Sequence, residues 1–198
     1  MTTYALLGAL EQGFAYGLMV IGVYLTFRVL DFPDLTVDGS LPLGASVSAV
    51  AITAGHSPVA AIFMATAAGF VAGAVTGILN TKFKILHLLA SILTMIALYS
   101  INLRIMGRPN MTLLGQDTVV DWFAGVSGLV AYVSTPILFG LICVVAVAAL
   151  IWFLHTELGL AFLATGDNKQ MITSQGVNTD SIVIFGVGLS NALSLIHI

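Results

Sequence analysis

Residues 39–81 contain no Asp, Glu, Lys or Arg. In soluble domains about 25% of residues are charged, so an uncharged run of this length has to sit in apolar surroundings on every side. It is long enough for two membrane spans of ~20 residues each, with Gly55-His56-Ser57-Pro58 supplying the turn between them. Hydrocarbon offers the backbone no hydrogen-bond partner, so spans built from such a run are helices. The rest of the chain agrees, with 59% apolar residues, 8% charged residues and a mean hydropathy of +1.07. These properties define an all-α membrane protein, a single polytopic bundle over residues 1–198.

The other spans follow in order. Residues 1–5 lack the basic start of a signal peptide and no small-residue cleavage site follows, so residues 6–27 read as a retained first span. Glu11 lies near its start, where a carboxylate is inexpensive at headgroup level, and Gly13 with Gly17 forms a small-residue pair suited to close helix contact. Within residues 39–81, Gly69, Gly73 and Gly77 recur every fourth position on one helix face, with Ala65 one step earlier. In lipid such a stripe lets two backbones approach, which makes it a packing surface; pore lining is the other reading. Lys82 and Lys84 close that span, residues 85–103 form the next, and Arg104 and Arg108 begin a polar excursion through Pro109, Gln116 and Asp117. Trp122 and Phe123 are placed as interfacial anchors, a short interfacial helix or a re-entrant piece is expected around residues 123–134, and a helix over about residues 136–153 has Trp152 at its far interface. Residues 181–198 begin a last span, for about six transmembrane helices of ~20 residues in all.

Two polar stretches interrupt this pattern. Asp31, Pro33, Asp34 and Asp38 follow the first span. Polar irregular backbone is tolerated inside a membrane protein where it lines a cavity or is covered by protein. An ordinary loop with Asp38 or Ser40 capping the next helix is the alternative. The second stretch, residues 156–180, carries Glu157, Asp167, Lys169 and Asp180, yet Leu160, Leu163 and Ala164 share one helical face and Met171 with Ile172 continue the apolar character. It is too polar to cross a bilayer and too apolar to be only a linker. A surface helix broken at Gly166-Asp167-Asn168, with Gly166 at positive φ and Asp167 capping the helix that follows, would offer an apolar ridge to a protein outside the membrane.

The same residues carry a resemblance. Leu163-Ala164-Thr165-Gly166-Asp167-Asn168 and Gln175-Gly176-Val177-Asn178-Thr179-Asp180 resemble the cytoplasmic coupling loop of ATP-binding-cassette importer permeases of the branched-chain amino acid and ribose superfamily, closest to its tryptophan- and tyrosine-type members. Asp34-Leu35-Thr36-Val37-Asp38-Gly39-Ser40 is similar to a segment of the sugar permeases, and Ser100-Ile101-Asn102-Leu103-Arg104-Ile105-Met106-Gly107-Arg108-Pro109-Asn110 to the amino-acid-type subfamily. The resemblance implies a partial permease fold with a cytoplasmic coupling helix. It implies an ATPase subunit docking on Leu163, Ala164, Thr165, Gly166, Asp167, Asn168, Met171 and Ile172, and a translocation path near Asp34, Thr36 and Asp38. An extracytoplasmic solute-binding protein and a second permease copy or paralogue are its other implied partners. It places the chain in the bacterial cytoplasmic membrane, with an amino acid favoured over a sugar as solute and ATP hydrolysis left to the partner. It also implies further spans after Gly188-Leu189-Ser190-Asn191-Ala192-Leu193, and residues 194–198 depart from the family in the manner of a truncated end.

Charge and motif content narrow the remaining classes. With a net charge of -3 and scattered basic residues, there is no footprint for nucleic acid. Cys143 is the single cysteine, so no intrachain disulfide forms, and His56, His87, His155 and His197 are isolated rather than spaced as metal ligands. No cofactor is called for. A secondary transporter or channel is the alternative to the importer; an intramembrane enzyme is disfavoured by the lack of a nucleophile–base pair or paired carboxylates. With the 156–180 stretch in the cytoplasm, as the resemblance requires, Arg28, Lys82, Lys84 and Lys169 lie inside and Arg104 and Arg108 outside, a positive-inside bias that agrees with an outer N-terminus and an outer 104–121 loop.

Overall fold

The computed structural model describes residues 3–108, 110–113, 115, 118–127 and 131–196. Pro109, Gln116 and Asp117 of the polar excursion lie outside them, as do His197 and Ile198. All regular structure among the described residues is helical. Helix α1 (Thr3–Tyr24) runs on into a π-turn, Leu25–Val29; α2 spans Val37–Thr53, α3 Pro58–Thr81 and α4 His87–Met106. Then come α5 (Val119–Ser127), α6 (Ala131–Leu154), the short helices α7 (Glu157–Asp167) and α8 (Lys169–Ser174), and α9 (Thr179–Ser194).

Four segments, Thr3–Val29, Pro58–Thr81, His87–Met106 and Val133–Leu154, are long and apolar enough to cross a membrane. The second and the last of the expected spans are shorter, 17 residues in α2 and 16 in α9. In α2 the reason is local: residues 30–36 are not helical, so the helix begins inside the bundle rather than at its edge. The turn between α2 and α3 is built as the sequence suggests, with Gly55 at φ +86°, Ser57 accepting a hydrogen bond from the Ala60 N–H and Pro58 in the first helical turn. The interfacial helix forms four residues earlier than expected, at Val119 rather than around Phe123, and α6 encloses Pro136 instead of starting there.

The bundle centres on α3 and α9, which pack antiparallel; α2 lies against α3 and α4, and α1 against α6 and α9. No hydrophobic drive brings helices together in lipid, so contact depends on how closely the backbones can approach. The glycine stripe of α3 supplies that approach. A Cβ on Gly69 would meet Leu195, one on Gly73 would fall on the Val187 carbonyl oxygen, and one on Gly77 would stand 2.7 Å from the Ile184 Cα. On α1 the close contact is made by Gly22, against Ser190 and Ser194, and the Ser190 hydroxyl donates to the Gly22 carbonyl. Gly13, read from the sequence as part of a packing pair, has no neighbour within 4 Å of where its Cβ would be, and a Cβ on Gly17 would stand at an ordinary 3.6 Å from the Cys143 sulfur. Where the π-turn, α6, α7 and α9 converge, Leu25, Leu30, Phe32, Leu150, Phe162 and Val187 form the largest apolar cluster, and Phe162 stands edge-on to both Phe153 and Phe185.

Overpacking a filled contact costs about 1–3 kcal/mol, so Gly73→Ala is expected to lower the thermal unfolding temperature in detergent and Gly73→Leu to prevent assembly of the bundle. Gly13→Ala serves as the comparison and should melt with the wild type. Equal melting of Gly73→Ala and Gly13→Ala would show that the α3–α9 contact adapts to the added methyl.

Candidate coupling surface and buried polar bridge

Helix α7 starts where Thr156 turns the chain out of α6; its hydroxyl accepts from the Gly159 N–H at 3.2 Å. It ends at Asn168, an extended residue with φ −152° and ψ 90°, whose side-chain oxygen accepts from the Met171 N–H at 2.9 Å and so caps α8. Two sequence expectations change here. Gly166 is an ordinary helical residue inside α7, not a residue at positive φ, and Asn168 rather than Asp167 caps the following helix. The glycine serves close approach: a Cβ there would fall on the carbonyl oxygen of Val29, with the Val29 and Leu30 carbonyl carbons at 2.9 and 3.1 Å. Backbone thus rests on backbone where α7 crosses the end of the π-turn.

The coupling residues divide between two faces. Leu160, Leu163, Asp167, Asn168 and Met171 are exposed, Ala164 and Gly166 half-buried, and Thr165 and Ile172 buried. Leu160, Leu163 and Ala164 form one wall of an open groove of about 580 Å³; Tyr24, Phe27, Arg28 and Asp31 form the other. In the sequence Arg28 figures as one of the basic residues that set the orientation, not as part of a docking surface. The aromatic pair Tyr24 and Phe27 followed by Arg28 and Asp31 was the signal for this second wall, since it sets polar groups on a helix end that already carries exposed aromatic surface.

The acidic segment is built differently. Asp34 is 2% exposed; its Oδ1 accepts from the Thr36 N–H at 2.9 Å and its Oδ2 from the Asn191 Nδ2 at 2.8 Å. Asn191, on α9, also donates to the Val187 carbonyl, and its Oδ1 accepts from the Ser40 hydroxyl at 2.7 Å. Thr36 pairs through its hydroxyl with Thr76 of α3 at 2.8 Å, and Thr76 donates on to Thr94 of α4 at 2.9 Å. Asp34, Thr36 and Ser40 therefore tie the start of α2 to α9 and α3, and through Thr76 to α4, in a buried setting. Asp38 takes no part; it is exposed on the first turn of α2. Thr76 and Thr94 give no signal in the sequence because each is a hydroxyl in an uncharged, mostly apolar run, and Asn191 stands out there only as part of the Gly188-Leu189-Ser190-Asn191-Ala192-Leu193 segment. Asn102 is of the same kind, donating to the Gly39 carbonyl at 3.3 Å.

Comparison with known proteins identifies the family to which this membrane bundle belongs. Residues 5–196 match the family described as branched-chain amino acid transport system / permease component, and the chain belongs to that family. It is 43% identical over 188 residues to the tyrosine transport system permease protein of Clostridioides difficile, covering 95% of this chain and 61% of that protein. It is 34% identical over 189 residues to the uncharacterized protein RP368 of Rickettsia prowazekii, covering 96% and 64%. Against the autoinducer 2 import system permease protein LsrC of Yersinia pseudotuberculosis the identity is 31% over 214 residues, covering 98% and 57%. The chain thus spans about three fifths of the length of these curated relatives. No solved structure matches it with significance.

Removing the Asp34 carboxylate strands the Thr36 N–H and one Asn191 donor, and each buried group left unpaired costs about 1–3 kcal/mol. Asp34→Ala should lower the unfolding temperature in detergent clearly, with Asp34→Asn in between, while the exposed Asp38→Ala stays within about 0.5 kcal/mol of wild type. Equal effects of Asp34→Ala and Asp38→Ala would dissolve the distinction between the two carboxylates.

Proposed function

We propose that this chain forms the transmembrane part of the permease subunit of an ATP-binding-cassette importer in the bacterial cytoplasmic membrane, moving a small solute inward. One observation carries the reading: α7 presents Leu160, Leu163 and Ala164 to an open groove while its Gly166 rests directly on the Val29 backbone. A short helix so placed can take a push from outside the bilayer and pass it to the bundle without a soft side chain between. The occupant of the groove is a cytoplasmic ATPase subunit, which carries out ATP hydrolysis; the permease supplies no catalytic group. Met171 and Asn168 extend the docking surface, whereas Thr165 and Ile172 hold α7 and α8 to the bundle from their buried faces.

In the same reading the translocation path passes the start of α2. Asp38, exposed there, faces it, and Asp34 with Thr36 holds its wall in place. A solute-binding protein delivers cargo at the opposite end of the bundle, and a second permease copy or a paralogue completes the path. An amino acid is the favoured cargo, supported by the 43% identity to a protein named for tyrosine transport; the likeness to an autoinducer 2 permease keeps a sugar-like solute as the second reading.

The test uses the full-length permease reconstituted with its ATPase. Leu163→Asp, which alters the exposed face and leaves the packing alone, should abolish retention of the ATPase and transport-coupled hydrolysis at unchanged permease abundance. Gly166→Val should abolish coupled hydrolysis through displacement of α7 from Val29. Asp167→Ala is expected to have little effect, and Asn168→Ala, which removes a helix cap worth ~1 kcal/mol, an intermediate one. Wild-type coupled rates in both Leu163→Asp and Gly166→Val would take α7 out of the mechanism, and solute uptake without any ATPase would favour a secondary transporter or channel.

A further inference from the structure

A second cavity lies at the same end of the bundle, apart from the coupling groove. It measures about 230 Å³ and is lined by Asn80, Thr81, Lys84, Leu86, His87 and Lys169 among others. Lys84 and Lys169 share a single carboxylate: Asp180 stands 3.1 Å from the Lys169 ammonium and 3.9 Å from that of Lys84. Within this trio one acid faces two bases, and Lys84, with its side chain 76% exposed, is the less committed partner; the other acid nearby is Asp31, whose charge acts on His87 rather than on the lysines. Its backbone is held at φ +57°, a conformation that L residues with side chains adopt only when the surroundings impose it. The Asn80 side chain, donating to the Ile85 carbonyl at 2.8 Å, helps fix that turn.

Two further features bear on what the cavity accepts. Helix α4, 20 residues long, begins at its edge with Leu86 in the capping position and no side chain on its first N–H groups, so the positive end of the helix adds to the lysine field. Around the rim, Phe83, Leu86, Leu88 and Leu89 are exposed. A basic cavity between membrane helices with exposed apolar side chains beside it suits a headgroup in the cavity and acyl chains along the rim.

We propose that this cavity is a binding site for a phosphate anion at the membrane surface, held by Lys84 and Lys169, with an anionic lipid headgroup or a soluble phosphate as the source. None of its lining residues lines the coupling groove, but Lys169 stands between Asn168 and Met171 of the proposed docking surface, so the test is made on the permease without an ATPase.

The full-length protein is placed in nanodiscs of phosphatidylcholine alone, or of phosphatidylcholine with one quarter phosphatidylglycerol, and its unfolding temperature is measured in each. Phosphatidylglycerol should raise the unfolding temperature of the wild type and of Lys82→Ala, whose charge lies at the same level outside the cavity. The rise should vanish in the Lys84→Ala/Lys169→Ala double variant and be reduced in Lys84→Gln, which tests the site should the double variant fail to fold. Because each variant is compared with itself in the two lipids, a general loss of stability cancels. A rise reproduced by millimolar inorganic phosphate in phosphatidylcholine discs, and lost in the same variants, would assign the site to a soluble anion. No rise in the wild type, a rise that survives Lys84→Gln undiminished, or an equal loss in Lys82→Ala overturns the proposal.

Discussion

Where a chain leaves the helix beneath covering protein, its polar groups need partners within the protein. Residues 30–36 are held in two ways, and the rest of the fold is arranged around how this is done. At the start the chain is held by main-chain contacts, with the Phe32 N–H donating to the Thr26 carbonyl at 2.9 Å. At the end it is held by side chains, Asp34 on Asn191 and Thr36 on Thr76. The second set requires α9 and α3 to lie close enough for a short amide and a short hydroxyl to reach the segment, and the glycines of α3 set that distance. Packing and polar satisfaction are therefore one requirement: widen the α3–α9 contact and Asp34 loses its partner.

The same segment connects the two ends of the proposed machine. Val29 and Leu30 lie under Gly166 of α7, and the Leu30 side chain fills the space beside Gly186 of α9. Four residues further on, Asp34 grips α9 again at Asn191. A displacement of α7 acts first on peptide groups of an already irregular chain, next to the π-turn that ends α1. Irregular backbone changes its dihedral angles at less cost than a helix interior, where each change sacrifices a ladder bond, so strain entering there is absorbed or passed on by this segment before it reaches α2 or α9.

The helices were legible in the sequence because their signal is repeated many times over: uncharged runs of span length, a turn of Gly, Ser and Pro, and glycines at a fixed interval. Even so, the interval alone did not tell a packing pair from a bystander. Gly13 and Gly17 look like Gly69 and Gly73, but a glycine matters only if a neighbour occupies the missing side chain's space, and that neighbour comes from a helix far away in the chain. The site was legible by composition and less so by geometry. The acidic segment and the 156–180 stretch stood out as polar islands, yet which of Asp34 and Asp38 would turn inward depended on Asn191, 157 positions from the first of them. Gly166 illustrates the same point, since its reason for being glycine lies in Val29 and not in its own dihedral angles.

The hydroxyl series from Thr36 through Thr76 to Thr94 differs in kind from the carboxylate bridge beside it. A hydroxyl rotates about one bond, donates or accepts, and carries no formal charge. Thr76 and Thr94 also bond back to carbonyls on the preceding turn of their own helices, Thr76 to Ala72 at 3.4 Å and Thr94 to Ala90 at 3.1 Å, whereas Thr36, which stands just before α2, has no such turn behind it. Opening this contact would strand no ion in an apolar setting, whereas parting Asp34 from Asn191 would leave a buried carboxylate without its amide. Because Ser40 of α2 also bonds to Asn191, the uncharged seam toward α3 and α4 and the carboxylate bridge to α9 meet at the first turn of one helix.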